Sequence, residues 1–338
     1  MKQAVITAPG TIEIRSVDPP ELQAGQVLLR VRRVGICGSD VHVYHGTHPY
    51  QGFPMVQGHE FSATIEAVGE GVEGLSAGQK VTALPQTVCG QCPPCRRGDF
   101  HICNRLRVDG FGMRGAAQEL YAVSADRIVP LPEEFSFEQG AFVEPVAVAV
   151  HAVEQAGEVA GRNVAVVGAG PIGNLTAQAA RAAGADCLLS DVSAFRLDVA
   201  RRCGFEHVSR PAEESLRDAG RRVFGDRGID VAFDCAGAAA SIDSAVRAVN
   251  KGGTIVVVAV FAEPAPVNLS RVQNDELTIR GTMMYWRDDY ARAIEAIRSG
   301  RIDTAPLDSR HFPLEEFAAA YEFIEHAGPE AMKVFIDV

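Results

Sequence analysis

The chain has 338 residues, 47% hydrophobic and 22% charged, an ordinary globular balance with enough length for about two domains. Its net charge of −11 and isoelectric point near 5.3 argue against nucleic acid as a partner and disfavour polyanionic substrates. Residues 1–10 lack the apolar stretch of a signal peptide, and nowhere do 18 apolar residues run together without a charge, so a cytoplasmic protein without a membrane span is expected.

Up to about residue 135 the sequence reads as short β segments, at 11–16, 26–34, 61–69 and 117–123, separated by turn-rich tracts such as 69–78. A small β barrel or folded sheets is the expected form. Two motifs lie among these strands. Residues 35–42 read Gly-Ile-Cys37-Gly-Ser39-Asp-Val-His42, and residues 57–61 read Gln-Gly-His59-Glu60-Phe. A catalytic zinc takes three protein ligands and keeps one position open. Cys37 offers a thiolate and His59 an imidazole. No cysteine lies between Cys103 and Cys187, so a carboxylate is expected as the third ligand. Glu60 and Glu144, the latter preceding Pro145, both qualify. One would bind directly while the other holds a water, and the spacing does not separate the roles.

Cys89, Cys92, Cys95 and Cys103 converge from one loop, a lobe at about 86–108. Four thiolates form the closed S4 set of a structural zinc. The bacterial ferredoxin run closes with three residues and a proline. Here seven residues separate Cys95 from Cys103 and Asn104 follows, which favours zinc over an iron–sulfur cluster.

From about 162 apolar strands alternate with helical stretches, the pattern of a parallel sheet. Strands are expected at 163–167, 187–190, 229–234, 254–260 and 277–281, followed by helices at 289–299 and 314–324 and a last strand from 332. The first of these strands leads into Gly168-Ala-Gly170-Pro171-Ile172-Gly173, a G-x-G-x-x-G turn opening a helix. Gly168 permits the turn, Gly170 lets a pyrophosphate approach, Gly173 lets helix and strand pack, and Pro171 suits the first helical position. Asp191 ends the next strand, where its carboxylate accepts from a ribose 2′-hydroxyl and repels a 2′-phosphate. NAD is therefore expected over NADP. Arg196, five residues on, is a candidate for the adenine face, and Val258 and Val260 complete the expected cofactor contacts.

Together, Cys37-Gly-Ser39-Asp-x-His42, Gly58-His59-Glu60, the four-cysteine lobe, Glu144-Pro145 and the 168–173 turn resemble the zinc-containing medium-chain dehydrogenase/reductase family. Within it the chain is most similar to the sorbitol (polyol) and butanediol dehydrogenases, and the match runs its whole length. The resemblance implies an α/β fold. A GroES-like, β-rich catalytic domain would occupy 1–145, a Rossmann domain with a doubly wound parallel sheet 146–287, and 288–338 would return to complete the first. It also implies catalytic and structural zinc, NAD, and a homodimer or homotetramer without nucleic-acid or membrane partners. The implied reaction moves a hydride from a secondary hydroxyl of a polyol or diol to NAD, giving a ketone. Ser39 would take the hydroxyl proton and His42 would pass it to solvent. Family members with glutamate at the position of Glu144 are mainly polyol and diol enzymes.

The chain departs from the sorbitol dehydrogenases it resembles at the substrate pocket. They carry a tyrosine where Val43 stands and an Arg-Tyr pair where this chain has Met284-Tyr285. A more apolar pocket, with Glu144 on its polar side, favours a shorter diol, a secondary alcohol or a differently configured polyol. The rival readings are another zinc-dependent alcohol, sugar or sugar-acid dehydrogenase, with sugar phosphates and threonine disfavoured, and a non-catalytic NAD-binding relative.

Overall fold

The computed structural model describes residues 1–48 and 52–338, which fall into two compact units. The first comprises Met1–Glu144, Trp286–Ile294 and Asp308–Val338, and the second Pro145–Tyr285 and Glu295–Leu307. No helix among the described residues is long and apolar enough to cross a membrane.

The first unit is organised around the strand Gln26–Ile36. Its Val27, Leu29 and Val31 alternate with more exposed residues and are buried in the main core, the period-2 signature of a half-buried strand. The pattern then changes phase. Val31 pairs with Ala63 but Arg33 pairs with Ser62, so Arg32 is an extra, bulged residue. The bulge turns Val34 inward and carries the strand to Gly35, Ile36 and Cys37. Glu60–Val68 lies antiparallel on one side of this strand, and Leu120–Ser124 and Lys333–Asp337 pair along the other. Beyond them stand Lys80–Ala83 and Ile128–Pro130 at one side and Asp308–Pro313 at the other. The end of the chain is thus an interior strand, buried from Lys333 to Ile336.

A cluster of charges ties this C-terminal region to the rest of the unit. His311 lies between Asp308, 3.0 Å from Nε2, and Asp337, 2.9 Å from Nδ1, and edges against Phe335. Arg33 bridges Asp337 to Glu138. Burial alone would lower the His311 pKa, but hydrogen bonds to the two carboxylates outweigh it and the net shift is upward. A raised folded-state pKa stabilises fully below the unfolded value near 6.5, and that contribution is lost as pH rises through the folded value. The His311→Gln variant should therefore melt below the wild type at pH 6, by up to about 1 kcal/mol for such part-exposed pairs. The gap should shrink at pH 9; a difference independent of pH would remove the histidine charge from the account.

The second unit is a six-stranded parallel sheet. Counting strands in chain order within it, the spatial order is 3-2-1-4-5-6: Val208–Ser209, Asp186–Ser190, Asn163–Val167, Ile229–Asp234, Val249–Val257, Thr278–Gly281. That is the doubly wound order in which a dinucleotide binds where the strand order reverses, here between Asn163–Val167 and Ile229–Asp234. The first of these two strands is buried at every position, as expected for a sheet covered on both faces. One sequence expectation shifts here. The strand expected at 254–260 begins at Val249 and stops at Val257, because the Asp234 carbonyl takes the N–H groups of both Val258 and Ala259 and turns the chain away. Helix Phe137–Gln155 runs continuously through Pro145, so Glu144 sits inside a helix.

Candidate active site

Five short-range features build the metal site of the first unit. Gly38–Tyr44 forms a helix directly after the central strand, and its Asp40 side chain accepts from the Cys37 backbone N–H at 2.9 Å. Cys37 therefore stands at the helix entrance with its thiol half-buried. The Gln57-Gly58-His59 stretch is held against a neighbouring loop by bonds from Gly115, Ala116 and Ala117 to the carbonyls of Val56, Gly58 and Gln57. Glu60 then opens the strand that pairs with Gly35. The ligand atoms of Cys37, His59 and Glu60 all lie within 4.8 Å of one another.

Glycine at 35 is a spatial necessity. A Cβ there would come 2.4 Å from Glu60 Oε2, so any larger residue would displace the carboxylate. Lys333 approaches the same carboxylate from the interior C-terminal strand, 2.8 and 2.6 Å from its two oxygens and 3.2 Å from the Ile36 carbonyl. Lys333 is 3% and Glu60 1% exposed, so the pair is fully desolvated. Burial disfavours the ammonium, but the Glu60 carboxylate, with Cys37 and Glu144 adding, raises its pKa and keeps it charged. Glu144, also buried, comes from the helix Phe137–Gln155 and stands outside the 4.8 Å cluster.

His59 is oriented from behind. Its Nδ1 faces Asp40 Oδ1 at 3.5 Å, at the outer limit of a hydrogen bond, and both atoms are buried without another partner. With Nδ1 turned to the carboxylate, Nε2 is the nitrogen left for a metal. The ring also packs on Phe111, at 5.1 Å. A thiolate, an imidazole and a carboxylate, one of them backed by an orphaned acceptor, fit a zinc that keeps an open position. Ser39 and His42 lie on the helix after Cys37, three residues apart and so on one face. His42 Nδ1 is 3.5 Å from Thr47 Oγ1.

In the four-cysteine lobe, Sγ–Sγ distances are 3.4 Å for Cys92–Cys95, 3.8 Å for Cys92–Cys103 and 3.5 Å for Cys89–Cys103. Tetrahedral bonds near 2.3 Å place sulfurs about 3.8 Å apart, so these thiols fit a zinc. Backbone N–H groups of Cys89 and Arg105 point at Cys103 Sγ and that of Asn104 at Cys92 Sγ, and backbone N–H groups hold the Cys92 thiol pKa down to about 6.

In the second unit the glycine turn has the form the spacing implies. Gly168 has φ +96° and Gly173 packs so tightly that a Cβ would lie 1.8 Å from the Gly168 carbonyl. Gly170 caps the helix Pro171–Ala182, and a Cβ there meets only the tip of Arg196, at 3.7 Å. That open space at a helix start fits a diphosphate. Asp191 is buried, accepting from Ala169 N at 2.6 Å and Ser193 N at 2.7 Å, with Arg196 Nη1 3.9 Å away. Ile172 lies in the same first turn and Val258 and Val260 after the strand Val249–Val257, the last being 66% exposed.

Residues 23–133 match the model of the alcohol dehydrogenase GroES-like domain, and residues 171–299 that of the zinc-binding dehydrogenase. The 2-dehydro-3-deoxy-L-galactonate 5-dehydrogenase of Pseudoalteromonas atlantica is 36% identical, across 93% of this chain and 92% of its own length. This chain belongs to the zinc-containing medium-chain dehydrogenase/reductase family. Human sorbitol dehydrogenase, another member, is 34% identical across 94% and 91% of the two chains. A protein of Sinorhizobium meliloti described as a zinc-binding dehydrogenase and solved with NADP superposes with a TM-score of 0.93 at 30% identity, over 100% of this chain and 99% of that one. The protein is thus a zinc-dependent dehydrogenase of alcohol, sugar or polyol CH–OH groups that uses a nicotinamide cofactor.

For this medium-chain dehydrogenase, the expected substrate contacts stand as follows. Val43 is fully buried with Ile6 and Met55 and reaches no surface. Met284 has φ +52°, and Tyr285, at the end of the second unit, is fully buried. Lys333, Asp40 and Gln57 were not singled out as working residues from the sequence. Lys333 could have been flagged, since a lone lysine in an otherwise apolar terminal strand needs a buried partner.

Proposed function

We propose that the enzyme oxidises a secondary hydroxyl of a polyol or diol to a ketone with NAD. The observation carrying this reading is the 4.8 Å convergence of Cys37, His59 and Glu60 with Lys333 behind Glu60. The first unit, completed by Trp286–Ile294 and Asp308–Val338 and not by the whole of 288–338, is assigned as the catalytic domain, and the second as the NAD-binding domain. Cys37, His59 and a carboxylate, from Glu60 or Glu144, hold the catalytic zinc, and the lobe cysteines hold the structural one. When bound, zinc supplies a Lewis acid that makes a substrate hydroxyl more acidic, and the dinucleotide supplies the hydride acceptor. Charge supports the assignment: the Cys37 thiolate and the buried Asp40, Glu60 and Glu144 carboxylates outnumber the one buried ammonium, Lys333, so the site favours a dication. Ser39 accepts the proton of the hydroxyl through its own, and His42 on the same helical face passes it towards Thr47 and solvent. The enzyme is assigned as a cytoplasmic homo-oligomer, and the wholly exposed edge strand Thr278–Gly281 offers unpaired backbone for a second copy.

The test is a panel of polyols, diols, aldonates and sugar phosphates with NAD and NADP, following nicotinamide reduction. Absence of turnover on every secondary alcohol by protein holding two zincs per subunit would end the proposal. A second reading, a sugar acid as substrate, is favoured by the sugar-acid dehydrogenase activity for which the Pseudoalteromonas relative is named, and preferential oxidation of aldonates would select it. Asp191 should set the cofactor. A 2′-phosphate beside its carboxylate costs several kcal/mol, so NAD is expected to exceed NADP in kcat/KM by about 10²-fold or more. In Asp191→Ala that preference should collapse, because Arg196 remains beside the position to meet the phosphate.

A further inference from the structure

The helix Phe317–Ala327 places Tyr321 in the core of the first unit, 1% exposed, with its ring against Phe317 and Tyr44 at 5.5 and 4.7 Å. A buried phenol needs a partner for its oxygen whatever its role, so what matters is where that partner leads. This one donates its hydroxyl proton to the side-chain oxygen of Gln57, which fixes the amide so that its nitrogen points the other way. Gln57 Nε2 then donates to the Asp40 carbonyl at 3.0 Å. Asp40 in turn accepts from the Cys37 N–H at 2.9 Å with one carboxylate oxygen and faces His59 Nδ1 at 3.5 Å with the other. Gln57, Asp40 and His59 are 1%, 1% and 5% exposed, so water does not substitute for any link.

The donors and acceptors dictate the residue types. The phenol needs an acceptor, and a glutamine amide supplies one while its nitrogen still has a proton to give the Asp40 carbonyl. Leucine at 57 would leave the buried phenol unmatched, and a glutamate would set its charge against the Asp40 carbonyl oxygen. The Tyr321–Gln57 bond exists only when the helix Phe317–Ala327 is docked.

We propose that Tyr321 is a positioning residue of the metal centre: acting through Gln57 and Asp40, it fixes the orientation of His59 and the helix entrance that carries Cys37. This rests on the reading that Cys37 and His59 hold the catalytic zinc. Outer partners of metal-ligating histidines typically change metal affinity by about 10–100-fold when removed.

The test measures zinc release from the purified wild type, Tyr321→Phe, Gln57→Leu and the double variant to a chelator, with elemental analysis of what remains. The visible spectrum of each protein carrying cobalt at the catalytic site is read alongside. Tyr321→Phe keeps the ring and removes only the oxygen. It should release one of the two zincs about tenfold faster, with a changed cobalt spectrum, while the lobe zinc is retained. The double variant should release it no faster than the faster single one, because both break the same chain. Unchanged release and an unchanged cobalt spectrum in Tyr321→Phe, even with a lower melting temperature, would reduce Tyr321 to packing and overturn the inference alone. Should Tyr321→Phe not fold, Gln57→Leu decides by the same two readouts. A wild type holding zinc only in the cysteine lobe would instead overturn the reading of the site, and this inference with it.

Discussion

Lys333→Met is expected to destabilise the protein by about 3–5 kcal/mol, the cost of leaving a buried charge without its partner. The orphan is Glu60, 1% exposed and bonded through both oxygens to the lysine. At 2–4 °C per kcal/mol for a domain of this class, the melting temperature should fall by roughly 6–20 °C. Scanning calorimetry on wild type and variant reads the effect. The intact pair is not itself a large source of stability, because desolvating two charges offsets most of their attraction. The prediction therefore has a second half. In Lys333→Met combined with Glu60→Gln no charge is stranded, and most of the lost stability should return. A single variant as stable as the wild type, or a double variant no better than the single, would show that Glu60 does not depend on this cation.

Cys37→Ala is expected to leave one zinc per subunit in place of two and to reduce turnover by about 10³-fold or more. The metal effect being removed is large: zinc brings the pKa of a bound water down to about 7. The fold should survive, because the bond from residue 37 to Asp40 is made by the backbone N–H and the lobe cysteines lie elsewhere. Metal analysis, a melting curve and steady-state rates decide the matter together. Two zincs with ordinary turnover would remove Cys37 from the chemistry.

Much of the fold was legible because it is punctuated locally. The strands at 11–16, 163–167 and 229–234 stand where the sequence placed them, each an apolar or alternating run bounded by turn residues. The helix expected at 314–324 begins instead with a 3-10 turn, Leu314–Glu316, and becomes regular only at Phe317. The start of the strand at Val249 was not legible, since Asn250, Lys251 and the glycines after them read as a loop. Val249 pairs with Ile229 and Thr254 with Val231, so residues 250–253 are an irregular insertion held between two paired positions of the strand. At the metal site the sequence left Glu60 and Glu144 open. In the folded chain Glu60 joins Cys37 and His59 while Glu144 stands back, because register, unlike spacing, fixes Glu60 opposite Gly35.

The sequence by itself determined the four-cysteine lobe, the glycine turn and the Cys37–His59 pair. In the first two, spacing and geometry are almost the same thing: ligands or amides a few residues apart can converge only in a few ways. Only the tertiary structure decided what stands behind the ligands. Lys333 meets Glu60 across 273 residues of chain and Tyr321 meets Gln57 across 264. A period-2 pattern can say that a side chain points inward, but not which distant strand has been docked to receive it. The charge balance and the orientation of a buried site are fixed by those distant partners, because inside the core no water is present to take their place.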